Sequence, residues 1–350
     1  MKKYIPTSRI NPCPVCGDTR RRCRHLPDNP DMVLCMSATD AFGAPPGWQF
    51  LKLTSDGLWG IVRRNSGDID EVYRRKWSEH WRSLRIERLR QEKTRHAASL
   101  AEGVSEALPE EARNTQIRDI FGQLRLSCQH QEDLKRRGLN DELIAAGSFK
   151  SVEQWQELDR EVSYELAGVS LGGRSLITPQ AGYLCPVWNP QGQIIGWQLR
   201  VDNPAGDAPK YLWASSRTKK RPHGATVHLQ NGELPLTFCT PVNEVSPLPQ
   251  YIGLAEGILK PWIIAQLRNQ ITIGAAGGNF AGSPETLRRY LTAASLRLGG
   301  TKDLLLWADA AAITNKNVMR QYRRTYELVR SWGYTLRVAW WGQLDKSCAD

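Results

Sequence analysis

The most regular hydrophobic pattern of the chain begins at residue 251 and continues almost to its end. Short apolar runs, in YIGLAE, ITIGAAG, LLLWAD and TLRVAWW, alternate with longer stretches of mixed polarity. The short runs predict strands and the longer stretches predict helices, the second of which has Ser283 as its cap and Pro284 at its first position. Strands that alternate with helices predict a doubly wound parallel sheet, here over residues 249–350.

Acids and glycines follow the predicted strands. Glu256 ends the first strand, Asp309 ends the third, and GAAGGNF, with Gly277 and Gly278, follows the second. Ligands of such sheets bind beyond the carboxyl ends of the strands. We therefore expect the two carboxylates to meet there, where they can hold a divalent cation or transfer a proton, and the glycines to let a phosphate approach the backbone.

A second strand-like pattern lies upstream, within residues 165–248. GYLCPVWNPQGQIIGWQLRVDN contains two strand-like runs joined by the turn signal NPQG, and PKYLWASS follows them. This pattern predicts a hairpin in an α+β subdomain. Arg200 ends the second run and Lys210 begins the next segment, so both cations are candidates to hold a backbone phosphate or a nucleotide.

Cysteine spacing marks the N-terminal 66 residues. Four of the eight cysteines lie in CPVCGDTRRRCRHLPDNPDMVLC, as Cys13, Cys16, Cys23 and Cys35. Two thiolates of a CxxC turn can bind one ion, and four thiolates form a closed structural zinc site. His25 is an alternative ligand to Cys23. GWQFLKL and GLWGIVRR predict a hairpin that completes a zinc ribbon over residues 1–66.

The charge of the chain favours a polyanionic partner. The formal net charge is +11 and the isoelectric point is about 9.4, which suits nucleic acid, although a basic enzyme without such a partner stays possible. Four arginines between the cysteines are suited to gripping phosphates: Arg20, Arg21, Arg22 and Arg24. Trp48 and Trp59 either stack on bases of single-stranded DNA or pack in the core of the hairpin.

Helical patterns connect these regions. Tryptophans and arginines recur at helical spacing from Lys76 and predict a basic helical linker over residues 67–112, with a flexible joint at 101–112. Residues 113–164 predict a small helical subdomain, with two helices broken at Gly138. No apolar run approaches 18 residues and no secretory signal is present, so we expect a cytoplasmic protein without a membrane partner.

The order of these motifs resembles a known family. Glutamate, glycines and aspartate at three successive strand ends resemble the toprim domain of bacterial-type primases, topoisomerases and some nucleases. PVWNPQGQIIGWQLR with KYL resembles the strand pair before toprim in primases. PCPVCGD, RRGLNDELI, GLAEGILKP and VAWWGQ resemble cyanobacterial plasmid replication proteins, in which a primase half precedes a helicase half.

This resemblance implies an activity, cofactors and partners. It implies a primase, a nucleotidyltransferase that makes short primers on single-stranded DNA from nucleoside triphosphates in plasmid or phage-type replication. It also implies Zn²⁺ and Mg²⁺ (or Mn²⁺) as cofactors and a replicative helicase, fused or separate, as partner. Glu256 would be the general acid or base and Asp309 a magnesium ligand. Arg200, Lys210 and Lys260 would contact template or nucleotide.

Two departures from the family pattern concern the metal. Toprim domains usually carry Asp-x-Asp at the third strand, whereas this chain reads Asp309, Ala310, Ala311. A later acidic motif should follow the last strand, where LDKSCAD ends on Asp350. We assign Asp350 to that motif, as a catalytic and magnesium-binding acid, and expect the chain to be the first part of a longer protein.

Two other functional classes are compatible with these residues. One is a toprim nuclease or topoisomerase, which would nick or relax supercoiled plasmid. The other is a non-catalytic module that binds single-stranded DNA, in which Ala311 marks a decayed site. Incubation with single-stranded templates, magnesium and labelled nucleotides separates the three classes.

Overall fold

The computed structural model describes residues 4–65, 107–206, 208–216, 224–310 and 312–344, together with helical positions 79, 82–83, 86–87 and 90–91. The chain forms two compact units, residues 1–97 and 98–350. The helical positions between 79 and 91 agree with the predicted linker helix, but Trp77 and Trp81 lie outside the described residues. No helix in the described ranges combines the length and apolar character needed to cross a membrane.

The first unit contains a five-stranded antiparallel sheet. Its strands are β1 (Ile5–Pro6), β2 (Arg24–Leu26), β3 (Asn29–Cys35), β4 (Trp48–Leu53) and β5 (Gly60–Arg64). Their order is β1-β2-β3-β5-β4, so the predicted β4–β5 hairpin completes the sheet. Its core contains few large apolar side chains besides Val33, Trp48 and Val62, and includes Cys23 and Cys35. A core this small needs a further source of stability.

The second unit begins with helices and an antiparallel sheet. The helices are α1 (Glu110–Gly122), α2 (Cys128–Arg136) and α3 (Asp141–Ala146). The strands are β6 (Lys150–Val152), β7 (Gly182–Trp188), β8 (Ile194–Val201) and β9 (Tyr211–Trp213), in that order. The predicted hairpin is β7–β8. The predicted pair of short helices is α2 and α3, separated by Gly138, whose φ of 92° suits glycine.

The second sheet of this unit is mostly parallel. Its strands are β10 (Thr237–Cys239), β11 (Ile252–Glu256), β12 (Thr272–Ala275), β13 (Asp303–Trp307) and β14 (Thr335–Ala339). Its helices are α4 (Leu259–Arg268), α5 (Pro284–Arg297) and α6 (Lys316–Ser331). The strand order is β10-β12-β11-β13-β14, with β10 antiparallel to β12 and the other pairs parallel.

Two hydrophobic cores cover this sheet. Leu254, Ile273 and Leu306 share one core with α5 and α6. Trp262 of α4 belongs to another core, which includes Tyr183 of β7. The helices of the parallel sheet therefore pack into two separate cores. The core that contains α4 also joins the parallel sheet to the antiparallel sheet. The predicted α/β class, with a cysteine-bearing β unit before a doubly wound parallel sheet, is confirmed.

The structure corrects two local predictions. Helix α1 begins at Glu110, inside the segment predicted as a flexible joint. Ser283 precedes α5 but does not cap it, because its hydroxyl donates to the Leu234 carbonyl at 2.8 Å. The cap is the Glu233 carboxylate, which accepts from the backbone N–H groups of Glu285 at 2.9 Å and Thr286 at 2.8 Å. A carboxylate there stabilises the positive end of the helix.

Arg113 of α1 is a buried connection between α1 and the segment that follows β9. Its guanidinium donates to the carbonyls of Leu108, Val227 and His228, at 2.8, 2.7 and 2.5 Å. Burial lowers the pKa of Arg113 to about 10, so the side chain remains charged at neutral pH. The guanidinium therefore gives hydrogen-bond donors to several carbonyls inside the unit.

We expect Arg113→Leu to destabilise the second unit by about 3–5 kcal/mol, because buried carbonyls lose their donors. Urea denaturation monitored by circular dichroism measures the loss. Thr115→Ala, on the exposed side of the same helix, is the control and should change stability by under about 0.5 kcal/mol. Equal stability of Arg113→Leu and the unchanged protein would contradict the structural role.

Candidate active site and zinc centre

The four clustered cysteines of the first unit form one candidate metal site. Their sulfur atoms all lie within 4.8 Å of one another. Cys16 Sγ is 3.6 Å from Cys23 Sγ, which is 3.8 Å from Cys35 Sγ. A tetrahedral zinc ion with Zn–S bonds of about 2.3 Å requires sulfur separations of about 3.8 Å. The four thiols therefore fit a structural zinc ion, and Cys23 rather than His25 belongs to this group.

The turn that carries Cys13 and Cys16 is held by residues beside it. Gly17 has a φ of 73°, and its N–H donates to the Cys13 carbonyl at 2.8 Å. The buried Asp18 carboxylate accepts from Thr7 Oγ1 at 2.7 Å and from Arg22 Nε at 3.0 Å. Burial opposes ionisation of Asp18, but these hydrogen bonds hold its pKa below the usual value. Sequence reasoning missed Asp18, whose only signal is its place after the glycine of the turn.

The arginines and tryptophans near the four cysteines have different surroundings. Arg20 and Arg21 are exposed, whereas Arg22 pairs with Asp18. The guanidinium of Arg24 lies 5.2 Å from the centre of the Trp59 ring. Trp48 is only 9% exposed and belongs to the core, which agrees with the alternative that it packs inside the hairpin.

We expect chelation of zinc, or Cys35→Ser, to unfold the β unit of residues 4–65 and to leave residues 107–344 folded. The thiolates then lose the ion that replaces a larger apolar core. Zinc content by atomic emission and hydrogen exchange by mass spectrometry measure the two effects. Cys128→Ser is the control, since Cys128 is exposed and outside the cluster. Full zinc content in Cys35→Ser would exclude Cys35 as a ligand.

The candidate active site lies at the carboxyl edge of the parallel sheet. A cavity of about 760 Å³ opens there, between the parallel sheet and the antiparallel sheet. Six of the residues singled out in the sequence line it: Arg200, Lys210, Glu256, Lys260, Gly277 and Asp309. The cavity thus has carboxylates on the parallel-sheet side and cations from β8 and the segment before β9 on the other side.

Parallel pairing places the two acids at this edge. Glu256 ends β11 and pairs with Ala275, the last residue of β12. Ala255 pairs with Trp307, the last residue of β13, so Asp309 follows β13 at the same edge as Glu256. The backbone N–H of Gly257 donates to the Ala275 carbonyl at 2.7 Å and holds the turn that follows Glu256.

Lys260 forms an ion pair with Asp309 inside the cavity. Its ammonium, in the first turn of α4, donates to Asp309 Oδ1. The two side chains are 27% and 29% exposed, so the pair is accessible from the cavity. One cation of the chain therefore already neutralises the carboxylate that was expected to bind magnesium. This contact joins residues of two motifs and has no local signal in the sequence.

The arrangement of the carboxylates limits how magnesium can bind in this cavity. Within the described residues, the cysteine cluster is the only group of three or more metal-ligating side chains close enough to share an ion. Asp350 and Ala311 lie outside the described residues. Magnesium is commonly bound by one or two carboxylates together with substrate phosphates. The Asp309 carboxylate fits that pattern once a nucleotide supplies phosphate oxygens.

The two glycines after β12 have different positions. Gly277, with a φ of 61°, lines the cavity, and a Cβ added there would meet no atom within 4 Å. Gly278, with a φ of 65°, is buried, and an added Cβ would lie 3.0 Å from the Tyr322 ring. Gly277 therefore leaves backbone open to the cavity, whereas Gly278 is needed for packing against Tyr322.

Asp133 of α2 holds two arginines at the cavity wall. Its Oδ2 accepts from Arg137 Nε at 3.1 Å and from Tyr183 Oη at 3.0 Å, and it forms an ion pair with Arg200 Nη1 at 3.3 Å. Burial alone would raise the pKa of Asp133, but the hydrogen bond from Arg137 and the charges of Arg137 and Arg200 hold it below the usual value. Arg200 also lies over the Tyr183 ring, at 5.2 Å. Sequence reasoning found Arg200 but not its counter-ion.

We expect Asp133→Asn to lower the free energy of unfolding by about 1–3 kcal/mol at pH 7, because charged hydrogen bonds are lost. The folded-state pKa of Asp133 is depressed, so its contribution is present above the unfolded-state pKa and is lost as pH falls through the folded-state pKa. The difference between the two proteins should shrink on acidification. Urea denaturation at several pH values measures it.

Asp141→Asn is the matched control for that experiment. Asp141 also pairs with a cation, Lys135, but its side chain is 66% exposed. An exposed pair contributes under about 1 kcal/mol. A loss in Asp133→Asn no larger than in Asp141→Asn would show that the Asp133 network does not stabilise the cavity wall.

Of the comparisons with known proteins, the one with solved structures gives matches. No protein-family model matches the chain. A search of curated proteins returns no match. Among solved structures, the chain is similar to a DnaG primase catalytic domain bound to single-stranded DNA, with 17% identity and a TM-score of 0.43, over 70% of this chain and 74% of that one.

Two further primase structures are similar at the same level. The E. coli primase catalytic core is 16% identical, with a TM-score of 0.40, over 65% of this chain and 68% of that chain. The zinc-binding and RNA polymerase domains of the Aquifex aeolicus primase are 14% identical, with a TM-score of 0.41, over 67% and 56%.

Proposed function

We propose that this chain is a DNA primase that makes short primers on single-stranded DNA. The observation that supports the proposal is the shared cavity, in which Glu256 and Asp309 follow adjacent parallel strands and face cations from a second sheet. A nucleotidyl transfer site needs carboxylates near the attacking hydroxyl and cations near the phosphates. Arg200 and Lys210 supply the cations from the wall opposite the carboxylates.

Each side chain has a defined role in this proposal. Glu256 accepts the proton of the attacking 3′ hydroxyl, and Arg200 and Lys210 bind phosphate oxygens of the template or the nucleotide. Asp309, with Asp350 as the predicted further acid, would hold Mg²⁺ or Mn²⁺. The metal, when bound, neutralises the triphosphate and lowers the pKa of the hydroxyl.

Lys260 connects nucleotide binding to Asp309. Its ammonium is paired with the Asp309 carboxylate before substrate binds. A triphosphate offers stronger and more numerous acceptors, so the ammonium transfers to a phosphate oxygen and leaves Asp309 available. A partly exposed ion pair has a small net stability, and its exchange therefore costs little.

The first unit binds template in this proposal. Its zinc-held fold presents the exposed Arg20 and Arg21 near Arg24, which suits contacts to phosphates. The finer context comes from the motifs of the sequence: plasmid or phage-type replication in the cytoplasm, with a replicative helicase, fused or separate, as partner. Cyanobacterial plasmid replication proteins are the model for that arrangement.

A second candidate function is a non-catalytic module that binds single-stranded DNA. The observation in its favour is the Lys260–Asp309 ion pair, together with alanine at position 311, where toprim domains usually carry a second aspartate. In such a protein Lys260 would permanently replace a metal ion as the counter-charge of Asp309. The cavity would then hold the DNA backbone without chemistry.

Primer synthesis on single-stranded DNA with magnesium and labelled nucleotides tests the proposal. We expect Glu256→Gln and Asp309→Asn each to reduce synthesis by about 100-fold or more, since each removes a group that acts on the reacting atoms. Products are resolved by length. Asp303→Asn is the matched control, because Asp303 lies at the opposite end of β13 and pairs with Arg337 on the surface.

The outcomes separate the candidates. Undiminished synthesis in both variants would refute the active-site assignment. Tight binding of single strands without magnesium-dependent incorporation in the unchanged protein would favour the non-catalytic module. Nicking or relaxation of supercoiled plasmid would instead place the chain among toprim nucleases or topoisomerases.

A further inference from the structure

A second cavity adjoins the candidate active site. Its volume is about 450 Å³, within the range of small-molecule sites of roughly 300–1,000 Å³. Arg137, Tyr211, Leu259 and Lys260 line both cavities, so the two share a wall. Whereas the larger cavity contains the carboxylates, the far side of this one is formed by α4, by the aromatic residue that ends β13 and by one that follows β14.

The aromatic side of this cavity is built from two indoles. Trp307 and Trp341 have ring centres 6.4 Å apart and tilted by 47°. Trp307 is fixed in place, because its Nε1–H donates to Gln270 Oε1 at 3.1 Å and the Arg268 guanidinium lies 5.5 Å from its ring centre. Trp341 is 44% exposed, so part of its surface is available to a ligand. We name this the Trp341 pocket.

The Trp341 pocket combines aromatic surface with cations. Arg137, Lys260 and Arg268 line it, and none of the described residues that line it is acidic. A flat aromatic ligand attached to a phosphate matches both features, since bases stack on indoles while cations attract the phosphate backbone. Nucleotides in nucleic acid have this chemistry.

We propose that the Trp341 pocket binds an unpaired base of single-stranded DNA next to the active site. The inference rests on the proposed function, which supplies single-stranded DNA as the ligand. In template-directed synthesis the base of the incoming nucleotide pairs with the template, whereas a template base ahead of the primer is unpaired and needs a stacking partner. The shared cations let the template backbone pass from one cavity to the other.

Binding of oligonucleotides that contain the fluorescent base 2-aminopurine tests this proposal. Stacking on an indole quenches 2-aminopurine, and fluorescence anisotropy of an end-labelled strand reports affinity in the same sample. We expect Trp341→Ala to weaken binding by about 5- to 100-fold and to remove part of the quenching. Trp341→Phe should retain most of both, because phenylalanine also offers a flat ring.

Trp340→Ala is the matched control. Trp340 is the preceding residue and is 56% exposed, but it lines a different cavity together with Met319 and Tyr322. We expect it to change neither affinity nor quenching. The slope of affinity against salt should be unchanged in Trp341→Ala, because no phosphate contact is removed. A fully abasic oligonucleotide should bind the unchanged protein and Trp341→Ala equally.

The results distinguish this proposal from the proposed function. Binding and quenching need no catalysis, so stacking at Trp341 in a protein without primer synthesis would refute the primase and keep the pocket. Equal affinity and quenching in Trp341→Ala and the unchanged protein would overturn the pocket, whatever the primer synthesis assay shows. If Trp341→Ala loses binding of free nucleoside triphosphate but keeps binding of DNA, the pocket belongs to the nucleotide. That result would also overturn the proposal. Circular dichroism checks folding of each variant.

Discussion

Parallel pairing of β11 with β12 and β13 is the constraint on which the candidate site depends. It brings the ends of three strands to one edge of the sheet, so that Glu256, Gly277 and Asp309 line one cavity although they are far apart in the sequence. The antiparallel β7–β8 hairpin forms the opposite wall and carries Arg200 to it. The two acids come from the parallel sheet and Arg200 comes from the antiparallel sheet, so the site needs both sheets.

Local patterns were sufficient to predict most of the secondary structure. Alternation of apolar runs with amphipathic stretches predicted the parallel sheet, and turn signals predicted both hairpins. Cysteine spacing predicted the cluster of four thiols, because all four cysteines lie within one short segment. In each case the residues that specify the feature are close together in the sequence, and the structure contains that feature.

Contacts between distant segments could not be predicted in this way. Glu233 caps α5 from a preceding loop, Asp133 on α2 is the counter-ion of Arg200, and Lys260 pairs with Asp309. Nothing in the residues beside each of these groups specifies its partner. The cavity was predictable as a position on the sheet, but its charge balance was not. That balance matters because it leaves Asp309 already neutralised before any ion or substrate is bound.

The capping of α5 by Glu233 has a consequence for where anions can bind. The free N–H groups at the start of a helix are a common phosphate site in α/β proteins, and α5 begins just after the glycine-containing turn. Its N–H groups at residues 285 and 286 already bind an internal carboxylate. The N-terminal end of α5 is thereby closed to incoming phosphates, although it lies next to that turn.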